Sequence, residues 1–182
     1  MVTFRQLVNI FDVIANEHKE IHGFHSGFMD EVDIQKLGLD NYPILHVEPS
    51  TATIDTGTLT YNFNLYLITM INEQMQKSRT TNTTQSPFLR MGRTDTFSNS
   101  LLILQDVISD FKQNLHLQSA DPEKYTSWTG QKQASEVILQ LPITTEPFTA
   151  RFDNELTGWS TTLTLLTNNT NDRCIAPMDN PS

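Results

Sequence analysis

Apolar residues near the N-terminus recur at intervals of three and four: Phe4, Leu7, Val8, Phe11, Ile14 and Ala15. That spacing gathers them on one face of an α-helix. Thr3 stands where a cap belongs, and Gln6 follows three residues later to reach back to its amide, a capping-box arrangement. The helix is expected to end at His22-Gly23, where glycine accommodates a left-handed cap. Residues 23–41 mix Gly, Asp, His and Phe without a period and read as a loop.

The period then changes from helical to alternating. Tyr42-Pro43-Ile44-Leu45-His46-Val47 reads as a strand with Pro43 near its start, and Glu48-Pro49 is expected to break it. Ala52 and Ile54 lead into the turn signal Asp55-Thr56-Gly57. Beyond it Leu59, Tyr61, Phe63, Leu65 and Leu67 alternate with Thr60, Asn62, Asn64 and Tyr66. One side of this strand is apolar and the other polar, so it should cover a core on one side only. Residues 50–68 are therefore expected to form a hairpin.

From residue 72 to 95 the pattern lapses into a long polar stretch, read as a loop. A second helix follows, capped by Asp95 or Thr96, with Leu101, Leu104, Ile108, Phe111 and Leu115 as its apolar stripe. Residues 116–135 are polar again, with Tyr125 and Trp128 as possible anchors. Val137, Leu139 and Leu141 alternate into Pro142, and Trp159, Thr161, Leu163 and Leu165 alternate along a last strand. An extended arm, residues 168–182, closes the chain. Hairpin-linked strands with single helices between them predict one α+β domain, with a mostly antiparallel sheet and two main helices packed on one face.

The composition suits that reading. Of the 182 residues, 24 are Thr and 14 are Asn, types that favour strands and hydrogen-bonding turns. Twenty-one acidic residues against twelve basic ones leave a net charge of −9. Such a chain lacks the basic face that non-specific phosphate binding requires. The lone Cys174 allows no internal disulfide, which fits folding in a reducing cytoplasm. No secretory signal layout and no membrane-length apolar run is evident, so no membrane partner is expected. The two Asn-x-Thr sequons, at Asn82 and Asn168, are then chance matches.

Few residues suggest chemistry. His18 and His22 stand four apart, with Glu17 and His25 nearby, and could share a helical face as zinc ligands do. The His-Glu-x-x-His order is missing, and a helix end with cationic side chains near its C-terminal dipole accounts for them as well. Asp30, Glu31 and Asp33 lack calcium-loop spacing. Arg173 could lower the pKa of Cys174. No Gly-x-Ser-x-Gly elbow, phosphate-binding loop or dinucleotide fingerprint occurs, so no catalytic residue, metal or cofactor is expected.

Three stretches carry a resemblance: the N-terminal helix, YPILHVEPS with TLTYNFNLYLI across residues 42–68, and the closing EPFTARFDNELTGWSTTLTLL with NDRCIAP. Together they cover about half the chain, and it resembles the small tail-terminator or tail-completion proteins of bacteriophage virions. The resemblance implies an α+β subunit, not an enzyme, that forms a ring, commonly six-fold, at the head-proximal end of the tail tube. It implies copies of itself, tail-tube proteins and neck or connector proteins as partners, with DNA passing through unbound. Another neck component, a connector or adaptor ring, is the alternative within that class. A metal-binding protein or enzyme using His18, His22 and His25 is the alternative outside it.

If the chain works by assembly, its contacts should come from residues suited to gripping neighbours. The polar stretch 72–95 concentrates Lys77, Arg79, Arg90 and Arg93, a third of the twelve basic residues, beside Phe88. Arg151 and Asp153 bracket a phenylalanine, and Arg173 lies in the terminal arm. These eight residues are the expected interface candidates.

Overall fold

The computed structural model describes residues 3–29, 42–70, 93–120, 137–149 and 156–168. Helix α1 spans Phe4–Glu17 and helix α2 spans Arg93–Ala120. The strands are β1 (Gly23–Ser26), β2 (Ile44–Asp55), β3 (Thr58–Met70), β4 (Val137–Leu139), β5 (Thr145–Thr149) and β6 (Leu156–Asn168). They form one sheet in the order β1-β2-β3-β6-β4, with β5 also paired to β6. Only β1 runs parallel to its neighbour; every other pairing is antiparallel. The α+β fold is as the patterning predicts.

Helix α1 starts where the sequence places it. Thr3 N donates to Gln6 Oε1 at 2.8 Å and Gln6 N to Thr3 Oγ1 at 3.4 Å, closing the capping box. It ends earlier than expected. Glu17 is its last residue, His18 caps it in extended geometry, and Gly23 opens β1 instead of serving as a left-handed cap. Residues 23–26, read as loop, are a strand because Gly23 to Ser26 pair with Ile44 to Val47, a non-local contact that leaves no periodic signal.

Strand β2 does not break at Glu48-Pro49. Pairing with β3 runs from Ile44↔Ile68 to Asp55↔Thr58, with a register shift between Pro49 and Thr51. Ser50 is the extra residue of a β-bulge, which absorbs the proline without ending the strand. The hairpin is therefore longer than the expected 50–68. Its turn is at Thr56-Gly57, where Asp55 Oδ1 accepts from Thr56 N at 2.6 Å and Gly57 takes φ 81°.

The core lies between the sheet and the helices. Leu7, Ile10, Phe11 and Ile14 of α1 and Ile103, Leu104, Val107 and Phe111 of α2 pack against Leu59, Tyr61, Phe63, Leu65 and Leu67 of β3. Leu45 and Val47 of β2 and Leu163 and Leu165 of β6 complete it. The stripe on α2 is rotated from the expected one: Leu101 and Ile108 are only half-buried flanks. Asp95 lies within the first turn of α2, so the cap expected there and the last residues assigned to the polar loop belong to the helix. Trp159 ties β6 to α2, its Nε1 donating to Phe97 O at 2.8 Å.

The opposite face of the sheet is not uniformly solvated. A second, smaller cluster of Tyr42, Ile44, Ile68 and Leu156 sits there, with Met29, Tyr66, Met70 and Phe148 against it. Glu146-Pro147-Phe148, read as the start of a tail segment, is strand β5, and its proline is tolerated because the strand lies at an edge. Gly158 makes no bend. It sits inside β6, opposite Ile68, where the backbone of Leu67 and the ring of Phe148 leave no room for a Cβ.

Candidate assembly interface

The two edges of the sheet are the least protected parts of the described chain. On one side β1 covers β2 only from Ile44 to Val47. Beyond it Ser50 to Asp55 are all exposed, and their outer backbone meets no strand among the described residues. On the other side β4 pairs with β6 alone. The open stretch of β2 and the β4 edge occur at the same end of the sheet, while β5 forms the edge at the other end. One row reads Ala52–Tyr61–Leu165–Leu139, the next Thr53–Thr60–Leu166–Ile138, the third Ile54–Leu59–Thr167–Val137.

These edges are only partly protected, β2 by the bulge beside Pro49 and β4 by its length of three residues. Edge strands normally avoid pairing with other chains through Lys, Pro or inward charges. Ser50-Thr51-Ala52-Thr53-Ile54 and Val137-Ile138-Leu139 contain none of these. Ile54 is 72% exposed and Ile138 is 63% exposed, so apolar β-branched side chains flank both open backbones. β2, β3, β6 and β4 run alternately up and down. A β2 strand from a second copy laid against β4 would continue that alternation.

The sheet face away from the helices forms a second surface. Its polar side chains are fastened to one another along the rows. Asn62 Nδ2 donates to Thr51 Oγ1 at 2.8 Å while Thr164 Oγ1 donates to Asn62 Oδ1 at 2.7 Å. In the next polar row Asn64 Nδ2 donates to Glu48 Oε2 at 3.4 Å and Thr162 Oγ1 to Asn64 Oδ1 at 2.9 Å. Tyr66 Oη donates to the same Glu48 oxygen at 3.1 Å. Beside these rows an open groove of about 480 Å³ is lined by Asn64, Tyr66, Glu146, Ser160, Thr162 and Thr164. The six strands contain no Lys or Arg; their charged residues are Glu48, Asp55 and Glu146. Among the described strands, hydroxyls, amides and carboxylates make this face largely polar, with acidic residues and no Lys or Arg.

The residues that the sequence nominated are placed otherwise. Lys77, Arg79, Phe88, Arg90, Arg151, Asp153 and Arg173 lie outside the described residues, as do Tyr125, Trp128, Asp30, Glu31, Asp33 and Cys174. Arg93 is the first residue of α2 and not part of a loop. His18 and His22 share no helical face, because α1 stops at Glu17. His18 Nε2 lies 3.8 Å from Asp106 Oδ2, His22 N donates to Pro43 O at 2.9 Å, and His25 is in β1. Among the described residues no three His, Cys, Asp or Glu side chains converge as metal ligands, and no helix is long and apolar enough to cross a membrane.

Sequence reasoning expected an antiparallel sheet to leave edges that a neighbour could use but did not place them, and it missed one buried imidazole. A signal for the bulge was present: the core-facing positions of β2 are Leu45 and Val47, then Ala52 and Ile54, so the alternation slips by one residue. His46, within an otherwise apolar run, is 1% exposed, and neither ring nitrogen has a hydrogen-bond partner among the described residues. Burial drives its pKa down, the Glu48 carboxylate partly offsets this, and His25 pushes it lower.

No protein-family model and no curated protein sequence matches this chain.

Proposed function

We propose that the chain is a structural subunit of a bacteriophage virion. Copies of it join head to tail in a ring at the head-proximal end of the tail, ending the tail tube and linking it to the neck. The observation that carries this reading is the pair of edges without a strand partner among the described residues, β2 from Ser50 to Asp55 and β4, on opposite sides of one end of the sheet. Two different surfaces that complement each other make a heterologous contact, and such a contact closes into a ring when its rotation permits. Adding a strand at an open edge satisfies backbone groups on both partners.

The remaining features are consistent with that role. Both helices cover one face of the sheet, so a continuous sheet around a ring would present its other face on one side throughout. That face is polar and carries only acidic charge on its strands, which suits a passage that DNA crosses without adhering. The resemblance in residues 42–68 and in the closing stretch supplies the tail-end location and the six-fold order. No cofactor enters the proposal. The virion is its site of action, after synthesis in the host cytoplasm.

Labelling an affinity-tagged copy with gold on purified particles tests the location. Label at the junction of tail and head supports the terminator role, and label on the head side of that junction indicates a connector or adaptor ring. A protein absent from purified particles contradicts the proposal.

A further inference from the structure

His46 occupies a position where an imidazole has no evident structural use. It lies on the sheet face away from the helices, in the middle of a row that runs His25–His46–Tyr66–Ser160–Glu146 from β1 to β5. Its side chain is 1% exposed, and both nitrogens lack hydrogen-bond partners among the described residues. Leucine or valine would fill the site at lower cost, since a buried polar group without partners is unfavourable.

Burial opposes the charged ring, and the Glu48 carboxylate and the Gly27 backbone offset this only in part. Tyr66 lies beside it with ring centroids 6.0 Å apart. Glu48, two residues along the same face, supplies a carboxylate, but its oxygens already accept from Tyr66 Oη, Asn64 Nδ2 and Met29 N. His25, its partner on β1, opposes a charge on His46. Ser160 and Glu146 complete the row, with Tyr66 between them and His46.

A proton arriving at His46 can be accommodated most easily by moving β1. Strand β3 is locked between two long neighbours, whereas β1 is a four-residue edge strand with no fully buried side chain. Beyond its four paired residues, the described contacts that hold it are the packing of Phe24 and Met29 on the two apolar clusters and three hydrogen bonds: His22 N to Pro43 O at 2.9 Å, Gly27 N to Val47 O at 3.1 Å and Met29 N to Glu48 Oε1 at 3.2 Å. Releasing it would hydrate the imidazolium and bare β2 from Ile44 onward.

We propose that β1 is a proton-operated cover on the β2 edge: acidification charges His46, releases the segment Gly23–Met29, and extends the open edge from Ser50–Asp55 back to Ile44. This stands apart from the virion role, since it needs only the described edge and the buried ring. The direction follows from linkage. The folded state prefers neutral His46, so closure is complete above the ordinary imidazole value of 6.5 and weakens as pH falls below it. One coupled proton weakens closure by up to about tenfold per pH unit.

Hydrogen exchange read by mass spectrometry at pH 7.5 and 5.5, corrected for intrinsic rates, tests this on the full chain. Protection of peptides covering 22–29 and 43–48 should drop about tenfold at the lower pH, while β3 and β6 keep theirs. His46→Phe should abolish the drop, and His25→Gln should shrink it without abolishing it. If the drop survives in His46→Phe, or never occurs in the wild type, the proposal fails. Should His46→Phe fold poorly, an NMR titration of the wild-type imidazole decides. Loss of β1 amide protection in step with that titration supports the cover, and β1 protection that does not follow it refutes it.

Discussion

The rings of Phe11 on α1 and Phe111 on α2 stack with centroids 4.5 Å apart and planes 3° from parallel. The two residues are far apart in sequence, and both side chains are fully buried. Phe63 on β3 meets Phe11 at 6.1 Å in a tilted arrangement, so one aromatic contact joins both helices to the middle of the sheet. Phe11→Ala and Phe111→Ala should each cost about 3–5 kcal/mol, the usual loss for a buried phenylalanine. The double mutant should cost less than their sum by about 0.5–1.5 kcal/mol, the coupling of a stacked pair. Urea titrations of the four proteins measure this directly.

The two faces of β3 should respond unequally. Phe63 is fully buried, whereas Asn62 points to the other face and bridges Thr51 and Thr164. Phe63→Ala should cost about 3–5 kcal/mol. Asn62→Ala removes hydrogen bonds from a half-exposed site and should cost about 1 kcal/mol. Equal losses in thermal melts would mean that the faces are assigned wrongly.

Gly158→Ala should be among the most damaging single-atom changes. A Cβ there would run into the Leu67 carbonyl oxygen and stand 3.0 Å from the Phe148 ring. Because Leu67 is backbone in the central strand, it cannot yield without disturbing the β3–β6 pairing, and a loss of about 3 kcal/mol is expected. Gly57→Ala meets no atom within 4 Å, yet φ 81° still favours glycine, so its cost should stay near 1 kcal/mol. Chemical denaturation of both variants checks the contrast.

Trp159→Phe keeps most of the ring packing but removes the donor to Phe97 O. Phe97 O keeps Ser100 Oγ as a donor at 3.2 Å, so losing the indole bond should cost about 0.5–1.5 kcal/mol. The same substitution should raise hydrogen exchange in the first turns of α2 more than elsewhere, because Phe97 also meets Trp159 edge-on at 6.0 Å.

What could be read from the sequence was whatever rests on local periodicity. The capping box of α1 needs only Thr3 and Gln6, and β3 declares its faces through the alternation from Leu59 to Leu67. Elements fixed by distant partners were not readable. β1 has four residues and exists because Ile44 to Val47 lie beside it. The end of α1 at Glu17 follows from the chain turning toward that pairing, and neither glycine nor any other local signal marks it. Ile44 and Ile68 looked like ordinary strand residues, yet they face each other on the side opposite the main core. That sheet edges could serve a neighbour was expected, but which strands form them was not readable for a related reason. Charge and aromatic content drew attention to Lys77, Arg79 and Arg90, whereas an open edge is a property of strand order, which no single segment encodes.

Head-to-tail pairing of the β2 and β4 edges is tested most directly by native mass spectrometry of three proteins: wild type, Ile54→Lys and Ile138→Lys. Both isoleucines are exposed, so neither change should disturb the fold, and lysine is the residue that commonly blocks edge pairing. The wild type should form a closed assembly, six copies by the resemblance, and each variant alone should be monomeric. Mixed together, the variants should give a heterodimer and nothing larger, because each supplies the one intact edge the other lacks. A wild type that stays monomeric at tens of micromolar, or variants that assemble as it does, would contradict the account.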